Sequence, residues 1–385
     1  MSGRPLTVLF APDSFKGSLT SGEVARALAD GWAQARPGDR LLLAPLADGG
    51  EGTLAAIEAA GGWEQRDASV HDPEWRTIGA TWLSADLGRR AVAEMAKASG
   101  LSLVTLEERS PRFYSTYGTG ELLRDIVNAG AREITLGIGG SATNDGGAGI
   151  LQALGAVLSK EGEPIAEGPA PVLLHDLDPV DLSGFDPRLA GVDLRIACDV
   201  TNPLLGPRGA TAVYGPQKGV EPDDVEFLDL CLGGWADALE AATGRRERDT
   251  PGAGAAGGVG FGLLCLTDRF LSLSLEPGVD LVMAATGFDA KLAEADLVIT
   301  GEGRIDAQTA FGKTALGVAR RAWAAGARCL AVGGGVTPEG IAALGPLGVE
   351  VIAVNDPRIP VAEAMALGGA PLVACGERLA RRFDD

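Results

Sequence analysis

The sequence predicts an α/β protein with two domains, one built from both chain ends around a parallel sheet and one inserted into it. Apolar strand patterns alternate with helix patterns at both ends of the chain, which is typical of a doubly wound sheet. The middle of the chain instead carries shorter strand patterns and several Gly-rich turns. The length of 385 residues is sufficient for two domains.

The N-terminal end repeats the order strand, loop, helix. Strands are predicted at residues 6–10 and 41–44, and each is followed by a polar loop that contains glycine. Thr20 and Glu23 have the spacing of a capping box, so we expect a helix to begin there. A second helix is predicted over residues 53–60.

The C-terminal end continues the same order, with strands predicted at residues 296–300, 329–332 and 349–354 and a helix over 314–325. We therefore assign residues 1–75 and 285–385 to a discontinuous parallel-sheet domain and residues 76–284 to the inserted domain. Because clefts between domains are frequent ligand sites, we expect the active site in the cleft between these two.

Composition and charge argue against several classes of protein. The net charge of −19 argues against nucleic acid as a partner, since phosphate backbones are bound by clustered Lys and Arg. No apolar run reaches the ~18 residues of a membrane span, and no signal-peptide pattern is visible. The five cysteines are scattered, as expected in a reducing compartment. We expect a cytoplasmic protein, a monomer or a homodimer, with no membrane partner.

Two charged loops follow the N-terminal strands. Asp13 and Lys16 lie in DSFKGS, where the lysine is placed to meet a phosphate or a carboxylate, with a solvated surface lysine as the alternative. Asp48 and Glu51 lie in DGGEGT and are candidate Mg²⁺ ligands, because Mg²⁺ prefers carboxylate oxygens. The alternative for Glu51 is an acidic residue that complements a helix dipole.

Two Gly-rich stretches in the middle of the chain predict phosphate binding. GIGGSATNDGGAG, residues 137–149, follows a predicted strand and precedes a helix, so its amides are suited to an anion. It matches the dinucleotide fingerprint only weakly, because polar residues separate the glycines from the helix. PGAGAAGGVGFG, residues 251–262, contains a complete G-x-G-x-x-G, but the charged run RRERDT precedes it instead of a strand. A backbone loop over nucleotide phosphates is the interpretation left for it.

Two polar stretches in the second half of the inserted domain are suited to phosphoryl transfer. Asp199 and Asn202 lie in ACDVTNPLLG just after a predicted strand, and Gln217 and Lys218 lie in YGPQKG. An acid can position a hydroxyl, while amides and a lysine neutralise the moving charge. The alternative for Asp199 is the capping of a turn.

The stretch GEGRIDAQTAFGKT, residues 301–314, is the richest in candidates. Lys313 is expected at a helix N-terminus, where it could meet a phosphate, although a strand end near residue 300 argues against a true P-loop. Glu302 and Asp306 are candidates for metal binding or for the catalytic base. Arg304 could bind a substrate carboxylate through two parallel hydrogen bonds, or pair with a neighbouring acid.

Eight motifs in the same order along the chain resemble the bacterial glycerate kinases of glucarate and glyoxylate metabolism. They are APDSFKGSLT, PLADGGEGT, STYGTGELL, GIGGSATNDGGAG, ACDVTNPLLG, YGPQKG, PGAGAAGGVGFG and ITGEGRIDAQTAFGK. The resemblance implies a Rossmann-like domain built from both chain ends. It also implies ATP-dependent phosphorylation of D-glycerate, with 2-phosphoglycerate as the expected product.

The candidate residues are grouped by expected role. The catalytic candidates are Lys16, Asp199, Asp306 and Lys313. The candidates for substrate binding are Asp13, Asn202, Gln217, Lys218 and Arg304. The candidates for nucleotide and phosphate binding are Gly139, Gly140, Ser141, Asn144, Gly254 and Gly257. The metal candidates are Asp48, Glu51, Asp145 and Glu302.

The expected reaction is in-line transfer of the ATP γ-phosphoryl group to a glycerate hydroxyl in the presence of Mg²⁺. Asp199 or Asp306 would take the hydroxyl proton, and Arg304 or Lys218 would bind the substrate carboxylate. Three alternatives stay open. They are an NAD(P)-dependent hydroxy-acid oxidoreductase, a kinase that forms 3-phosphoglycerate, and a non-catalytic sensor of a small acid.

Overall fold

The structure, a computed structural model, describes residues 4–105, 109–311, 314–356 and 358–383. Its contacts divide the chain into two compact units. The first unit consists of Met1–Gly62 and Val279–Asp385, and the second of Trp63–Gly278. Strands and helices alternate in both units, so the predicted α/β class is confirmed.

The strands of the described residues are numbered in chain order. They are β1 Thr7–Pro12, β2 Arg40–Leu43, β3 Glu64–His71, β4 Thr77–Ala85, β5 Arg90–Glu94, β6 Glu133–Gly137, β7 Ser159–Lys160, β8 Glu163–Pro164, β9 Asp193–Ala197, β10 Ser272–Glu276, β11 Leu297–Ile305, β12 Arg328–Val336 and β13 Glu350–Ala353.

The α-helices of the described residues are numbered in the same way. They are α1 Ser21–Ala35, α2 Thr53–Ala60, α3 Ala96–Ser99, α4 Tyr117–Asn128, α5 Ala148–Ala153, α6 Ala210–Lys218, α7 Val225–Thr243, α8 Ala255–Leu264, α9 Gly278–Thr286, α10 Phe288–Leu292, α11 Thr314–Ala324, α12 Pro338–Leu344, α13 Val361–Ala366 and α14 Ala370–Ala380. None of the described helices is long and apolar enough to cross a membrane.

The first unit contains a five-stranded parallel sheet in the order β13-β12-β11-β1-β2. Parallel strands are buried on both faces, which explains the continuous apolar run of β1. The predicted capping box is present, with the Thr20 hydroxyl accepting from the Glu23 amide and the Glu23 carboxylate accepting from the Thr20 amide. The carboxyl ends of all five strands lie at the same edge of the sheet. Because β1 and β11 are neighbours, the loops that follow them lie side by side.

Strand β11 is longer than the sequence pattern indicated. It was expected to end near residue 300, but it stays paired with β12 as far as Ile305 and Val336. The Gly-rich end of β12 explains the difference, because it permits close pairing where the side-chain pattern no longer looks like a strand. Glu302 and Arg304 therefore lie on a strand and not in a loop.

The second unit contains a mixed six-stranded sheet in the order β10-β9-β6-β5-β4-β3. The neighbours from β10 to β5 are parallel, while β4 pairs antiparallel with both β5 and β3. The short strands predicted in the middle of the chain coincide with β4, β5, β6 and β9. The carboxyl ends of β5, β6 and β9 thus share one edge, where the Gly-rich loops begin.

Candidate active site

Asp13 lies directly after β1, at the carboxyl end of the first unit's sheet. Its Oδ1 accepts a hydrogen bond from the Ser14 amide at 2.6 Å, and its Oδ2 accepts one from the Thr314 hydroxyl at 2.5 Å. Burial raises the pKa of Asp13; the hydrogen bond from Thr314 opposes this, and the charge of Asp48 adds to it. Asp13 therefore holds the start of α11 and has a second carboxylate as a neighbour.

Lys16 is exposed in the turn that follows Asp13. Backbone hydrogen bonds between Phe15 and Leu19 close this turn. The turn packs against β11, because a Cβ on Gly303 would lie 3.2 Å from the Phe15 Cα and 3.4 Å from the Lys16 amide nitrogen. Glycine at this position lets the two backbones approach closely. The fold thus brings the DSFKGS and GEGRID motifs together.

The DGGEGT loop exposes both of its acidic side chains, Asp48 and Glu51. The Asp48 Oδ1 accepts a hydrogen bond from the Gly50 amide at 3.1 Å. Thr53, the first residue of α2, is 2% exposed, and its hydroxyl has no hydrogen-bond partner among the described residues. Buried hydroxyls are nearly always paired, so this unpaired group beside two carboxylates fits a loop that binds a ligand.

The GEGRID segment holds one buried and one ion-paired carboxylate. Glu302 is 8% exposed and accepts a hydrogen bond from the Thr309 hydroxyl at 2.7 Å. The Nε of Arg304 lies 3.1 Å from the Oδ2 of Asp306, which is the neighbouring-acid alternative considered for this arginine. The arginine side chain is nevertheless 72% exposed. Lys313, the fourth catalytic candidate, lies outside the described residues.

In the second unit, Gly139 and Gly140 follow β6 and lie nearer the surface than the rest of their loop. The carbonyl of Gly140 accepts a hydrogen bond from the Leu101 amide at 2.8 Å, and Ser141 forms a β-bridge with Gly100. The loop is therefore anchored on the segment after β5 at its beginning. Its next residues turn inward.

Thr143 and Asn144 are fully buried in the middle of this loop. The Nδ2 of Asn144 donates to the Thr211 hydroxyl at 2.9 Å, which fixes the orientation of the amide group. The Oδ1 of Asn144 and the hydroxyl of Thr143 have no partner among the described residues. Two unpaired buried oxygens in one short loop are uncommon, and they fit a loop that changes its contacts when a ligand binds.

Asp145 is fully buried and accepts four hydrogen bonds. Its Oδ2 accepts from the amide and the hydroxyl of Thr116, both at 2.8 Å, and from the Gly149 amide at 3.2 Å. Its Oδ1 accepts from the Gly147 amide at 3.1 Å. Burial raises the pKa of Asp145, while these donors act to lower it. This carboxylate holds the loop to the start of α4 and α5.

Lys218 lies at the end of α6 with its side chain buried. Its Nζ donates to the Ser141 hydroxyl at 2.9 Å and to the Thr143 carbonyl at 2.7 Å. Burial lowers its pKa to about 7, although the charge of Asp145 opposes the change. The lysine therefore supports the glycine-rich loop from inside the unit.

The second glycine-rich stretch packs on the first. The amide of Gly254 donates to the Asn202 carbonyl at 2.9 Å, and the carbonyl of Gly257 accepts from the Gly146 amide at 2.9 Å. Gly257 has a φ of +71°, and a Cβ there would lie 2.1 Å from the Thr143 carbonyl oxygen. Glycine is required at this contact, and it joins the two loops into one structure.

Asp199 and Gln217 are exposed, whereas Asn202 is half-buried. The Oδ1 of Asp199 accepts a hydrogen bond from the Gly278 amide at 3.0 Å at the start of α9, as in the capping alternative. The Oδ1 of Asn202 accepts one from the Tyr214 hydroxyl at 2.7 Å. Asp199 and Asn202 follow β9 and lie on the same edge as the glycine-rich loops, whereas Gln217 lies in α6.

The predicted site residues thus form one group in each unit. The first unit contributes Asp13, Lys16, Asp48, Glu51, Glu302, Arg304 and Asp306. The second contributes Gly139, Gly140, Ser141, Asn144, Asp145, Asp199, Asn202, Gln217, Lys218, Gly254 and Gly257. Among the described residues, no three His, Cys, Asp or Glu side chains gather closely enough to hold a metal ion by themselves.

Three residues near these loops were not identified from the sequence. Thr116 lies in STYGTGELL and carries two of the hydrogen bonds to Asp145. Thr53 is the last residue of DGGEGT, and its position at the start of a helix was the available signal. Glu94 is 2% exposed at the carboxyl end of β5, opposite Gly137. No spacing rule marks such an acid in a strand.

Comparison with known proteins agrees with this geometry. The family model described as "Glycerate kinase family" matches residues 8–384. The chain belongs to the glycerate kinase family. It is therefore a kinase, as predicted, and neither the oxidoreductase nor the non-catalytic sensor finds support in these comparisons.

Similar proteins include several curated glycerate kinases. A glycerate kinase of Halalkalibacterium halodurans is 46% identical over 97% of each chain. A glycerate 2-kinase of Escherichia coli is 44% identical over 82% of this chain and 81% of its own. A crystal structure described as a glycerate kinase 2 of Salmonella typhimurium superposes with a TM-score of 0.86, at 39% identity over 98% of both chains.

Proposed function

We propose that this chain transfers the γ-phosphoryl group of ATP to the 2-hydroxyl of D-glycerate, giving ADP and 2-phosphoglycerate. Membership in the glycerate kinase family supports the donor and the acceptor. The name of the Escherichia coli relative, a glycerate 2-kinase, supports the position of transfer. The 3-hydroxyl is the alternative position.

The observation that carries the proposal is the glycine-rich loop after β6. It begins with two glycines near the surface and then buries Thr143 and Asn144 with unpaired oxygens. A loop at the end of a strand with such groups is suited to a phosphate, which accepts hydrogen bonds from backbone amides. We assign Gly139, Gly140 and Ser141 to phosphate binding, with Gly254 and Gly257 supporting the loop.

The residues of the first unit fit a magnesium ion that arrives with the nucleotide. Mg²⁺ is usually held by one or two carboxylates together with substrate phosphates, so a cluster of three protein ligands is not needed. Asp48 is close enough to Asp13 for its charge to add to the rise that burial causes in the pKa of Asp13. The unpaired Thr53 hydroxyl lies in the same loop region. We propose that Asp48, together with Asp13 or Glu51, would hold the ion, which would supply positive charge to neutralise the phosphates.

Asp145 is less suited to a metal, because four donors already occupy its two oxygens. Glu302 is buried and accepts from Thr309, which fits a role in shaping the end of β11. We therefore propose loop support for these two acids in place of direct metal binding.

We propose Asp199 as the base that takes the proton of the glycerate hydroxyl. Asp306 is ion-paired with the Nε of Arg304. We propose that the same exposed arginine binds the substrate carboxylate through its terminal nitrogens. As the hydroxyl oxygen bonds to the γ-phosphorus, the bond from phosphorus to the β–γ bridging oxygen breaks and ADP leaves with that electron pair. Lys16, with Lys313, stabilises the phosphate charge, and Asn202 and Gln217 bind the substrate hydroxyls.

The described cysteine thiols are all free, which fits a protein of a reducing compartment such as the cytoplasm. We propose a cytoplasmic enzyme that works on small molecules as a monomer or a homodimer. Light scattering on a size-exclusion column would decide between the two states.

An enolase-coupled assay tests the reaction. Purified protein is incubated with D-glycerate, ATP and Mg²⁺, with enolase present and phosphoglycerate mutase absent. Enolase accepts the 2-phosphate, so its signal is expected together with ADP release. ADP release without that signal would move the transfer to the 3-hydroxyl, and no ADP release would overturn the kinase proposal.

Two matched variants test the base. Asp199→Asn is expected to lower kcat by about a hundredfold or more, since general-base catalysis typically contributes that much. Asp306→Asn is expected to raise KM for glycerate more than it lowers kcat, because it loosens Arg304. The reverse pattern would exchange the two roles.

A further inference from the structure

A short charged segment links α7 to the second glycine-rich loop. It has the sequence RRERDT, residues 245–250, and is here called the strap. Such a run usually forms a solvated surface. In this fold, however, most of the hydrogen bonds that leave the strap lead to one buried carboxylate and to the loops of the proposed site.

The buried carboxylate is Glu240, near the end of α7, with a side chain 0% exposed. Its Oε1 accepts hydrogen bonds from the strap amides of Glu247 at 3.0 Å and Arg248 at 3.2 Å. Its Oε2 accepts from Arg246 Nη1 at 3.0 Å and from Arg248 Nε and Nη2 at 3.1 and 2.8 Å. Five donors thus converge on one side chain.

The ionised form of Glu240 is the one that fits this arrangement, since all five groups donate. Burial acts to raise its pKa, but the hydrogen bonds from Arg248 and Arg246 outweigh burial, so the pKa lies below its ordinary value. A buried carboxylate that lost one of these partners would be costly, because its charge would be only partly compensated.

Backbone hydrogen bonds connect the strap to the loops of the proposed site. The carbonyl of Arg248 accepts a hydrogen bond from the Leu204 amide at 2.8 Å, two residues beyond Asn202. The carbonyl of Thr250 accepts one from the Ala253 amide at 2.9 Å, just before Gly254. Gly257 lies just beyond, in the irregular left-handed beginning of α8, and its carbonyl accepts the hydrogen bond from Gly146 of the first glycine-rich loop.

We propose that Glu240 is a positioning residue for the phosphoryl-transfer reaction, which it supports by holding the strap and, through it, the 199–204 and 251–258 loops. This inference rests on the proposed function, because those loops carry Asp199, Asn202 and Gly254. Glu240 itself is not expected to contact a substrate. Its effect on the reaction is transmitted by backbone hydrogen bonds.

The test compares Glu240→Gln with two control variants. The glutamine has one acceptor oxygen and a donor group, so it cannot accept all five hydrogen bonds. Asp237→Asn removes an exposed partner of the same Arg248, since Asp237 is 74% exposed and 2.7 Å from its Nη2. Leu239→Val shortens a fully buried side chain on the same helix and controls for general destabilisation.

Hydrogen exchange and steady-state kinetics are measured on the full-length protein. For Glu240→Gln we expect faster exchange in peptides covering residues 199–206 and 250–258, with little change over β6. We also expect kcat to fall by about tenfold to a hundredfold, as small displacements of reacting groups do. Asp237→Asn should show the loop exchange and the kcat of the wild type. Leu239→Val should show the wild-type kcat at temperatures below its own melting temperature.

Two results would overturn the proposal. One is a Glu240→Gln protein whose loops exchange as in Asp237→Asn. The other is faster loop exchange with an unchanged kcat, which would leave Glu240 a purely structural residue. If Glu240→Gln does not fold, Arg248→Lys provides the same comparison, because it keeps the charge and loses the planar fork. Hydrogen exchange does not depend on turnover. A wild-type protein without glycerate activity would therefore refute the proposed function, while the exchange comparison would still test whether Glu240 holds the loops.

Discussion

Lys218 donates a hydrogen bond to the hydroxyl of Ser141 at 2.9 Å, in a place that solvent does not reach. Its second bond, to the Thr143 carbonyl, ties the same amine to the next turn of the glycine-rich loop. A neutral amine still donates two hydrogen bonds, so both contacts survive deprotonation. The lysine can therefore shape this loop without carrying a charge, and an exposed cation such as Arg304 suits the substrate carboxylate better.

The first prediction concerns the pH dependence of stability. The pKa of Lys218 is about 7 in the folded protein and 10.5 ordinarily, so between these values the unfolded chain binds a proton that the folded chain does not. Stability then rises with pH across this window. Lys218→Met removes this contribution. Urea denaturation at several pH values should show the wild type gaining stability relative to the variant above pH 7.

The exposed Lys97 provides the matched control for that experiment. Its side chain is 48% exposed, and its Nζ lies 4.0 Å from the Oε2 of Glu94. We therefore expect the stability of Lys97→Met to change with pH as that of the wild type does. If the difference between the wild type and Lys218→Met stays constant with pH, the lysine does not titrate as stated.

The second prediction uses two glycines with nearly the same backbone conformation. Gly257 and Gly244 have φ values of +71° and +73°, but only Gly257 faces a neighbour, the Thr143 carbonyl oxygen. Around Gly244 a Cβ would meet nothing within 4 Å. Alanine should therefore cost about 1 kcal/mol of backbone strain at Gly244 and more at Gly257, where the loops must separate.

Activity separates the two glycine variants more sharply than stability does. Gly257→Ala is expected to lower kcat/KM for ATP by about tenfold or more, because it displaces the glycine-rich loop for which phosphate binding is proposed. Gly244→Ala, at the end of α7, should leave kcat/KM nearly unchanged. Equal losses in the two variants would show that strain alone, and not the contact between loops, is responsible.

The sequence patterns predicted the strands with apolar runs and missed several partly exposed ones, of which β3 is the longest. The apolar runs of β1 and β11 were visible because parallel strands bury both faces. Strand β3, with the sequence EQRDASVH, lies at a sheet edge and exposes most of its side chains, so it has no apolar run. Its pairing with β4 depends on a neighbour that the local pattern does not show.

The sequence supplied candidates for the site where polar residues follow apolar strands, and it could not show which side chains are buried. Asp13 and Asp199 were chosen because each follows a predicted strand, and their roles stay proposals. The sequence YGPQKG looks like a polar surface segment, and nothing in it indicates that Lys218 is buried. Likewise RRERDT reads as a solvated run, although its order depends on Glu240, several residues away. Such partners become visible only in the folded chain.

The third prediction concerns a buried ion pair that ties the ends of the first unit together. Asp39 accepts hydrogen bonds from Arg36 Nε at 2.7 Å, from Trp32 Nε1 at 2.9 Å and from the Leu6 amide at 3.0 Å. Its side chain is 3% exposed. Asp39→Asn should destabilise the protein by about 3–5 kcal/mol, since it leaves the arginine charge buried without its partner. Denaturant unfolding at neutral pH measures the loss.

The loss of stability at acidic pH and a control variant on the surface check this interpretation. Burial acts to raise the pKa of Asp39, but the hydrogen bonds, from Arg36 first, outweigh it, so the pKa lies below the ordinary 3.8. The stabilisation is thus complete above pH 3.8 and is lost as the pH falls through the lowered pKa. Glu377→Gln breaks the exposed pair with Arg381 and should cost no more than about 0.5 kcal/mol. A similar cost in both variants would contradict the prediction.

The last prediction concerns the support of Asp145. Thr116→Val keeps the shape of the side chain but removes the hydroxyl that donates to Asp145 and accepts from the Ile150 amide at 3.0 Å. We expect a loss of about 1–3 kcal/mol, the cost of leaving buried polar groups unpaired. Thr116→Ser keeps the hydroxyl and should lose less.

The pH dependence of that loss identifies the carboxylate as its cause. Burial already raises the pKa of Asp145, and removing a donor raises it further. Between the ordinary 3.8 and the raised value, the folded state binds a proton that the unfolded state does not, so stability falls as the pH rises. The deficit of Thr116→Val should therefore grow from acidic toward neutral pH. If the deficit is the same at acidic and at neutral pH, the loss comes from the unpaired Ile150 amide and from packing, and not from Asp145.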